Sequence, residues 1–290
     1  MKNKLILGTV QMGLDYGINN TNGQVTLKDS FNILDTAFEQ GVRILDTAEA
    51  YGNAHKVIGE FHSKNLNKVF KVITKLPHHI DDKIEVKVRL YIKQLNVTKL
   101  EALLFHNFET YVGNKDGLII LTELKKRGLV NKIGVSVYTN EQMAVVINDP
   151  LVDVIQLPFN ILDNVNLRGE VIKRAKAAGK EIHTRSSFLQ GLIFQDPFFQ
   201  NKVAQALNKE LIEINRISTQ SKCSIQQLAL NYCIEQKEID QVLIGVDSVN
   251  QLNQNIDICD RGISNEVTQE LNKIYVSDIN LLNPSLWNNL

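Results

Sequence analysis

The sequence has little cysteine, and the few cysteines form no recognisable pattern. Among 290 residues there are three, Cys223, Cys233 and Cys259. Their spacings match no metal-binding motif, and an odd number argues against a disulfide framework. We therefore expect buried free thiols, and neither a metal centre nor a disulfide-stabilised fold.

An excess of charge and a long apolar run are also missing. Lysine plus arginine (32) equals aspartate plus glutamate (32), so no strong field favours nucleic acid or anionic lipid. No apolar segment approaches the roughly 20 residues that span a bilayer. The apolar run near the start ends at Gln11, too early for a secretory signal. These absences predict a cytoplasmic protein with no nucleic-acid or membrane partner.

What the sequence does contain is an alternation of short β-branched segments with longer amphipathic ones. Eight segments have the composition of buried strands. They are residues 5–10, 43–48, 69–76, 101–107, 132–137, 153–160, 181–187 and 241–246.

Helical patterns lie between these strand candidates. Residues 30–41, 116–128 and 170–179 each end at a glycine, a common helix stop. Two more patterns precede the last strand, and residues 264–276 predict an extra C-terminal helix. Alternating strands and helices of this number predict a parallel α/β fold, a single (β/α)8 TIM barrel over residues 1–290. Residues 277–290 are interpreted as a surface tail. An open doubly wound sheet is the rival, but its G-x-G-x-x-G turn does not follow the first strand.

Polar side chains cluster where the predicted strands end. In a (β/α)8 barrel these ends meet at one face, where the chemistry of such barrels takes place. The second strand leads to Asp46 and Tyr51, the third to Lys75 and the fourth to His106. The later strands end in Ser136, Gln156, Arg185 and Ser186.

The first four of these side chains suit reduction of a carbonyl group, which needs a proton donor at oxygen. A tyrosine hydroxyl has a reference pKa of about 10, and a neighbouring ammonium such as Lys75 is expected to lower it. A buried ammonium needs a counter-ion, which Asp46 provides. His106 is then placed to hold the substrate oxygen.

The sequence also resembles the aldo-keto reductase superfamily. The segments "GTVQMG", "ILDTAEAYGNAHKVIGE", "TKL", "LLFHN", "LKKRGLVNKIGVSVYT", "DVIQLPFNILD", "RSSFLQGLI" and "VLIGVDSVNQLNQNI" follow its motifs in order. The resemblance implies a barrel that binds NADPH or NADH across its mouth and reduces a small-molecule carbonyl substrate. It places Asp46, Tyr51, Lys75 and His106 on the four catalytic positions.

The resemblance implies a set of cofactor-binding residues as well. These are Thr9, Asp46, Ser136, Gln156, Arg185, Ser186, Phe188, Gly245, Asp247, Ser248, Gln251, Gln254 and Asn255. Val137 stands where the family usually has an asparagine, and Gln254 replaces a usual glutamate. Arg185 replaces an aromatic residue that stacks beneath the nicotinamide. Stacking by its planar guanidinium is favoured over a clamp for a substrate carboxylate.

The nucleotide and the substrate are less well defined by the sequence. The segment "IGVDSVNQLNQN" has no lysine or arginine and offers Asp247, which predicts that NADH is used appreciably beside NADPH. Short loops predict an open mouth and a bulky or polar substrate. His78 and His79 are interpreted as a surface loop and His183 as buried within the barrel. The oligomeric state is not predicted, and a monomer is slightly favoured.

Two other functions stay open at this point. One is a (β/α)8 lyase or aldolase in which Lys75 forms a Schiff base. The other is a non-catalytic, nucleotide-binding regulatory barrel, since a fold does not determine a function.

Overall fold

A closed cylinder of parallel strands forms the centre of the computed structural model, which describes residues 2–18, 20, 23–80, 83–196 and 201–289. Each strand pairs with the next along the chain, and the first pairs with the last. The strands are β1 (Leu5–Gly8), β2 (Ile44–Asp46), β3 (Lys71–Leu76), β4 (Leu100–Phe105), β5 (Val130–Ser136), β6 (Val154–Pro158), β7 (Glu181–Arg185) and β8 (Gln241–Ile244).

Helices surround this barrel and return the chain to the start of each following strand. They are α1 (Val10–Gly13), α2 (Leu27–Glu39), α3 (Ala54–Lys64), α4 (Ile84–Leu95), α5 (Phe108–Gly113), α6 (Lys115–Lys126), α7 (Asn140–Ile147), α8 (Val165–Ala177), α9 (Lys202–Ala206), α10 (Asn208–Ser221), α11 (Ile225–Ile234), α12 (Val249–Cys259) and α13 (Asn265–Asn272). The (β/α)8 prediction is confirmed, and α13 lies within the segment expected to form the extra helix.

The alternation along each strand divides the apolar residues between two cores. A small cluster inside the barrel contains Ile6, Ile73, Ala102 and Leu104, all fully buried. The neighbours of these residues along each strand point outward and join the large cluster beneath the helices. A two-residue period therefore fills both the barrel and the layer around it.

The first strand is shorter than predicted, and the tail has local structure that the sequence did not predict. The first strand ends at Gly8, and Val10–Gly13 forms a short helix instead of continuing the strand to residue 10. The tail was expected to be a surface segment beside an open mouth. It forms 3-10 turns at Ile279–Leu282 and Pro284–Asn289, and residues 283–285 line the cavity described below. Local apolar pattern cannot predict such a tertiary contact.

Membrane insertion through a helix finds no support in the part of the chain that the structure describes. None of the helices there combines the length and the apolar character that crossing a bilayer requires.

Candidate active site

A close contact between two loops fixes the position of Tyr51. A Cβ atom added to Gly13 would lie 1.8 Å from the carbonyl oxygen of Tyr51, so no larger residue fits there. Gly52 has a φ of +54°, a conformation that costs glycine little. Its own Cβ position lies 2.2 Å from the carbonyl oxygen of Gly13. The loop after β2 therefore packs directly on α1 and brings the tyrosine back over the barrel.

Asp46 and Lys75 form a buried ion pair at the ends of β2 and β3. Both side chains are 2% exposed, and the ammonium also donates to the carbonyl of Thr47 at 3.1 Å. The amide of Gln156 donates to the other Asp46 oxygen at 2.9 Å. Burial alone would lower the pKa of Lys75, but the Asp46 carboxylate and Tyr51 outweigh it and raise that pKa. Lys75 is therefore a protonated ammonium held in one place.

Tyr51 lies against this pair, with its hydroxyl 3.5 Å from the Lys75 ammonium. The sequence predicted that the ammonium would lower the tyrosine pKa. Lys75 does act in that direction, but burial has the larger effect, so the pKa of Tyr51 is raised. In the protein without ligand the phenol is thus protonated at neutral pH and carries the proton it would donate.

His106 lies edge-on to Tyr51, with ring centroids 5.7 Å apart. Burial, Lys75, His78 and Arg185 together lower the pKa of His106 to about 2, so its imidazole is neutral. Its Nδ1 is buried without a hydrogen-bond partner in the described structure.

His78 is exposed on a loop, as the sequence predicted, and this loop lies beside the site. Its ring stacks on His106 with centroids 4.5 Å apart, and its Nδ1 is 2.8 Å from the side-chain amide of Asn107. The hydroxyl of Thr110 donates to the His78 backbone carbonyl at 2.7 Å. These contacts join the loop after β3 to the start of α5 and place His78 in the wall of the site. His183, by contrast, is buried beside Glu181 as expected.

A cavity of about 660 Å³ opens over these residues at the C-terminal end of the barrel. Most of the predicted residues line it: Thr9, Asp46, Tyr51, Lys75, His106, Ser136, Gln156, Arg185, Ser186, Phe188 and Gly245. Sequence reasoning missed Gln11, Tyr16, His78, Tyr138, Gln190 and the tail residues 283–285, which also line it. Tyr138 and His78 each lie two residues after the end of a strand, β5 and β3 respectively, and this position was the available signal for both.

A second cavity of about 330 Å³ adjoins the first. The walls of both include Gln11, Tyr16, Phe188 and Gln190, and Gln190 donates to the Tyr16 hydroxyl at 2.9 Å. The second cavity holds the remaining predicted residues Asp247, Gln251, Gln254 and Asn255. Ser248 is absent from its lining and instead caps α12 by accepting from the amide of Gln251.

The walls of the two cavities fit a nicotinamide dinucleotide. Three buried acceptor atoms there have no partner among the described residues: Gln156 Oε1, Gln11 Oε1 and Asp247 Oδ1. Such atoms are costly unless a ligand donates to them. Such a dinucleotide carries amide and ribose hydroxyl donors, and two adjoining cavities suit its two halves. The lack of a side chain at Gly245 leaves room for Gln11 in the cavity wall, because a Cβ there would lie 2.6 Å from the amide nitrogen of Gln11.

The chain is similar to proteins that are named as oxidoreductases or reductases. A protein of Schizosaccharomyces pombe named as an uncharacterized oxidoreductase is 27% identical over 152 residues, so the chain spans about half the length of that relative (49% of this chain and 55% of that protein). The NADH-specific methylglyoxal reductase of Escherichia coli is 20% identical, covering 81% of this chain and 84% of its own. The holo form of an aldo-keto reductase from Bacillus halodurans superimposes with a TM-score of 0.77 at 16% identity, covering 95% and 93% of the two chains.

The similarity to the Bacillus halodurans structure, taken alone, establishes a shared fold. The family assignment comes from a match of residues 4–276 to the aldo/keto reductase family, which spans every strand of the barrel and the whole lining of the second cavity. The chain therefore belongs to the aldo/keto reductase family of oxidoreductases.

Proposed function

We propose that the protein reduces an aldehyde or ketone to an alcohol with NADH or NADPH, and that Tyr51 is the general acid. The observation that carries the proposal is the buried chain Asp46–Lys75–Tyr51, which ends in the wall of the main cavity. Carbonyl reduction needs a proton at the oxygen atom as the carbon accepts hydride. A protonated phenol beside a fixed ammonium meets that need.

The proton transfer follows from the charges around Tyr51. The tyrosine O–H donates to the carbonyl oxygen, and the proton moves to that oxygen as negative charge develops on it. The phenolate left behind is stabilised by the Lys75 ammonium, which its contact with Asp46 keeps charged. His106 is neutral, so its imidazole orients the oxygen by a hydrogen bond and adds no competing acid. Solvent then reprotonates Tyr51.

The Asp46–Lys75 ion pair disfavours a lyase that uses Lys75 as a Schiff-base amine. Such an amine must be unprotonated to attack a carbonyl carbon. Lys75 is 2% exposed, and its pKa lies above the usual range because Asp46 and Tyr51 outweigh burial. The amine is therefore blocked both by its proton and by its position.

The residues that would hold the dinucleotide divide between the two cavities. Ser136 and Gln156 suit the nicotinamide amide, and Asp247, Gln251 and Asn255 suit the adenosine ribose. When bound, the cofactor supplies hydride to the carbonyl carbon.

Asp247 further favours NADH over NADPH. Burial raises the pKa of Asp247, against an opposing hydrogen bond from Gln251, and one of its oxygens has no partner among the described residues. A ribose hydroxyl could donate to that oxygen, whereas a phosphate would repel it. The name of the Escherichia coli relative, an NADH-specific reductase, agrees with this preference.

Replacing Tyr51 by phenylalanine tests the proposal. The fall in NADH or NADPH absorbance is followed with a panel of aldehydes and ketones. Tyr51→Phe removes one oxygen and should lower kcat by about 10²- to 10⁴-fold, with unchanged nucleotide binding. Tyr275→Phe loses the same atom at a position that is 73% exposed and serves as the control. Turnover near that of the wild type in Tyr51→Phe would remove the tyrosine from the mechanism.

A further inference from the structure

Arg185 brings a positive charge to the main cavity. It is the last residue of β7, it is half-buried, and it lines the cavity. Its guanidinium lies over the ring of Tyr138, 4.1 Å from the centroid, and one nitrogen donates to the Val137 carbonyl at 3.3 Å. In the part of the chain described here, no carboxylate forms an ion pair with it.

Two other buried cations of the barrel, unlike Arg185, are paired with carboxylates. Lys75 is paired with Asp46, and the guanidinium of Arg168 contacts both oxygens of Asp163 at 2.6 and 2.9 Å. Arg185 has five N–H donors, and the described residues accept from it only at Val137. The fold therefore leaves most of the hydrogen-bonding capacity of one planar cation free beside the cavity.

The other groups around the reacting position do not oppose this positive charge. The neighbouring charges that act on His106 come from Lys75, His78 and Arg185, all basic groups. The carboxylate of Asp46 is already neutralised by Lys75. Glu109 also lines the cavity, but its side chain is exposed and accepts a hydrogen bond from Gln142 at 3.3 Å. The wall around His106 thus offers an anion a favourable site.

We infer that Arg185 binds an anionic group of the substrate, and that the substrates are aldehydes or ketones that carry a carboxylate or a phosphate. The inference rests on the proposed carbonyl reduction and adds a substrate class to it. Tyr138 covers one face of the guanidinium and holds its plane, so the donor edge is set for a two-point contact with an oxyanion. This role differs from the stacking beneath nicotinamide that sequence reasoning favoured, and the two roles are separable.

Pairs of substrates that differ in one group test the inference. Succinic semialdehyde is compared with butanal, and glyceraldehyde 3-phosphate with glyceraldehyde, under saturating NADH. The wild type should prefer the anionic member of at least one pair, and the pair that responds distinguishes carboxylate from phosphate. In Arg185→Gln, kcat/KM for that member should fall about 10- to 100-fold more than for its uncharged partner, as expected for a charged hydrogen bond.

Two further variants separate the local contact from general charge. Arg185→Lys keeps the charge and loses the planar fork, so its discrimination should lie between those of the wild type and Arg185→Gln. Arg89→Gln removes the same charge on the exposed face of α4, where Arg89 contacts Glu85 at 2.9 Å, and should leave the discrimination at the wild-type value. Thermal melting of each variant shows whether it is folded.

Three results would overturn the inference. The first is a wild type that reduces both members of each pair equally well. The second is an Arg185→Gln enzyme that loses both activities alike and also binds NADH more weakly in a fluorescence titration, which assigns Arg185 to the cofactor. The third applies if the protein reduces none of these carbonyl compounds, so that kinetics cannot test the anion site. Calorimetry with succinate and inorganic phosphate then compares wild type with Arg185→Gln, and equal affinities reject the anion site independently of the proposed reaction.

Discussion

Replacing Asp46 by asparagine measures how strongly the barrel depends on its buried ion pair. The variant keeps the size of the side chain and removes the charge that compensates Lys75. Both side chains are 2% exposed, so solvent cannot take over the missing interaction. Removing one partner of such a pair costs about 3–5 kcal/mol of unfolding free energy.

The dependence of this loss on pH identifies its cause. In the wild type the pKa of Lys75 is raised by Asp46, so its contribution is fully present below the ordinary lysine value and is lost only as pH rises through the folded-state pKa. In Asp46→Asn, burial acts without that opposition and depresses the Lys75 pKa. A cost of about 3–5 kcal/mol corresponds to a depression by roughly 2–4 pH units, at 1.36 kcal/mol each. The unfolded variant then binds a proton that the folded variant lacks.

We expect the difference in unfolding free energy between the wild type and Asp46→Asn to shrink as pH rises. Between pH 7 and pH 10, the unfolding free energy of Asp46→Asn should approach that of the wild type by up to about 1.4 kcal/mol per pH unit. Urea unfolding followed by circular dichroism at several pH values measures it. Glu60→Gln breaks the exposed pair Lys64–Glu60, should cost less than about 1 kcal/mol, and is the control. A deficit below 1 kcal/mol at pH 7, or one constant up to pH 10, would refute the reasoning.

Two further predictions concern the nucleotide and the loop that carries the acid. Asp247→Ser removes the carboxylate from the second cavity and should shift the kcat/KM ratio toward NADPH by about tenfold, or 1.4 kcal/mol. A wild type that prefers NADPH more than a thousandfold would contradict this account of the second cavity. Gly13→Ala would place a methyl group 1.8 Å from the Tyr51 carbonyl oxygen, so it should displace the tyrosine and lower kcat at least tenfold. Gly113→Ala, where no atom lies within 4 Å, is its control, and equal rates in the two variants would show that the contact is unimportant.

The residues that sequence reasoning located correctly share one property. Asp46, Lys75, His106 and Ser136 lie at or next to the ends of strands, and the barrel brings all strand ends to one face regardless of loop conformation. Pattern and topology together are enough to place them. The alternation of buried residues that defined the strands is the same signal that predicted the barrel.

The residues it missed depend on loop conformation instead. Gln11 and Tyr16 reach the site because α1 turns back over the barrel, and His78 reaches it through the contacts of its loop with α5. Residues 283–285 reach it through the fold of the tail, which brings them into the cavity wall. The hydrophobic periodicity of the sequence does not predict such contacts. The net direction of the Tyr51 pKa change could not be predicted for a related reason, since it depends on how deeply the side chain is buried.

The pairing of β1 with β8 also determines when this site can exist. Leu5 pairs with Val242, so the first strand has one of its two neighbours only after nearly the whole chain has been made. At roughly 5–20 residues per second, ribosomal synthesis leaves that edge open for roughly 10–50 s. An unpaired strand edge can join other chains. The edge of the first strand therefore stays unpaired until the last strand arrives, and the main cavity is completed only after that step, when residues 283–285 join its wall.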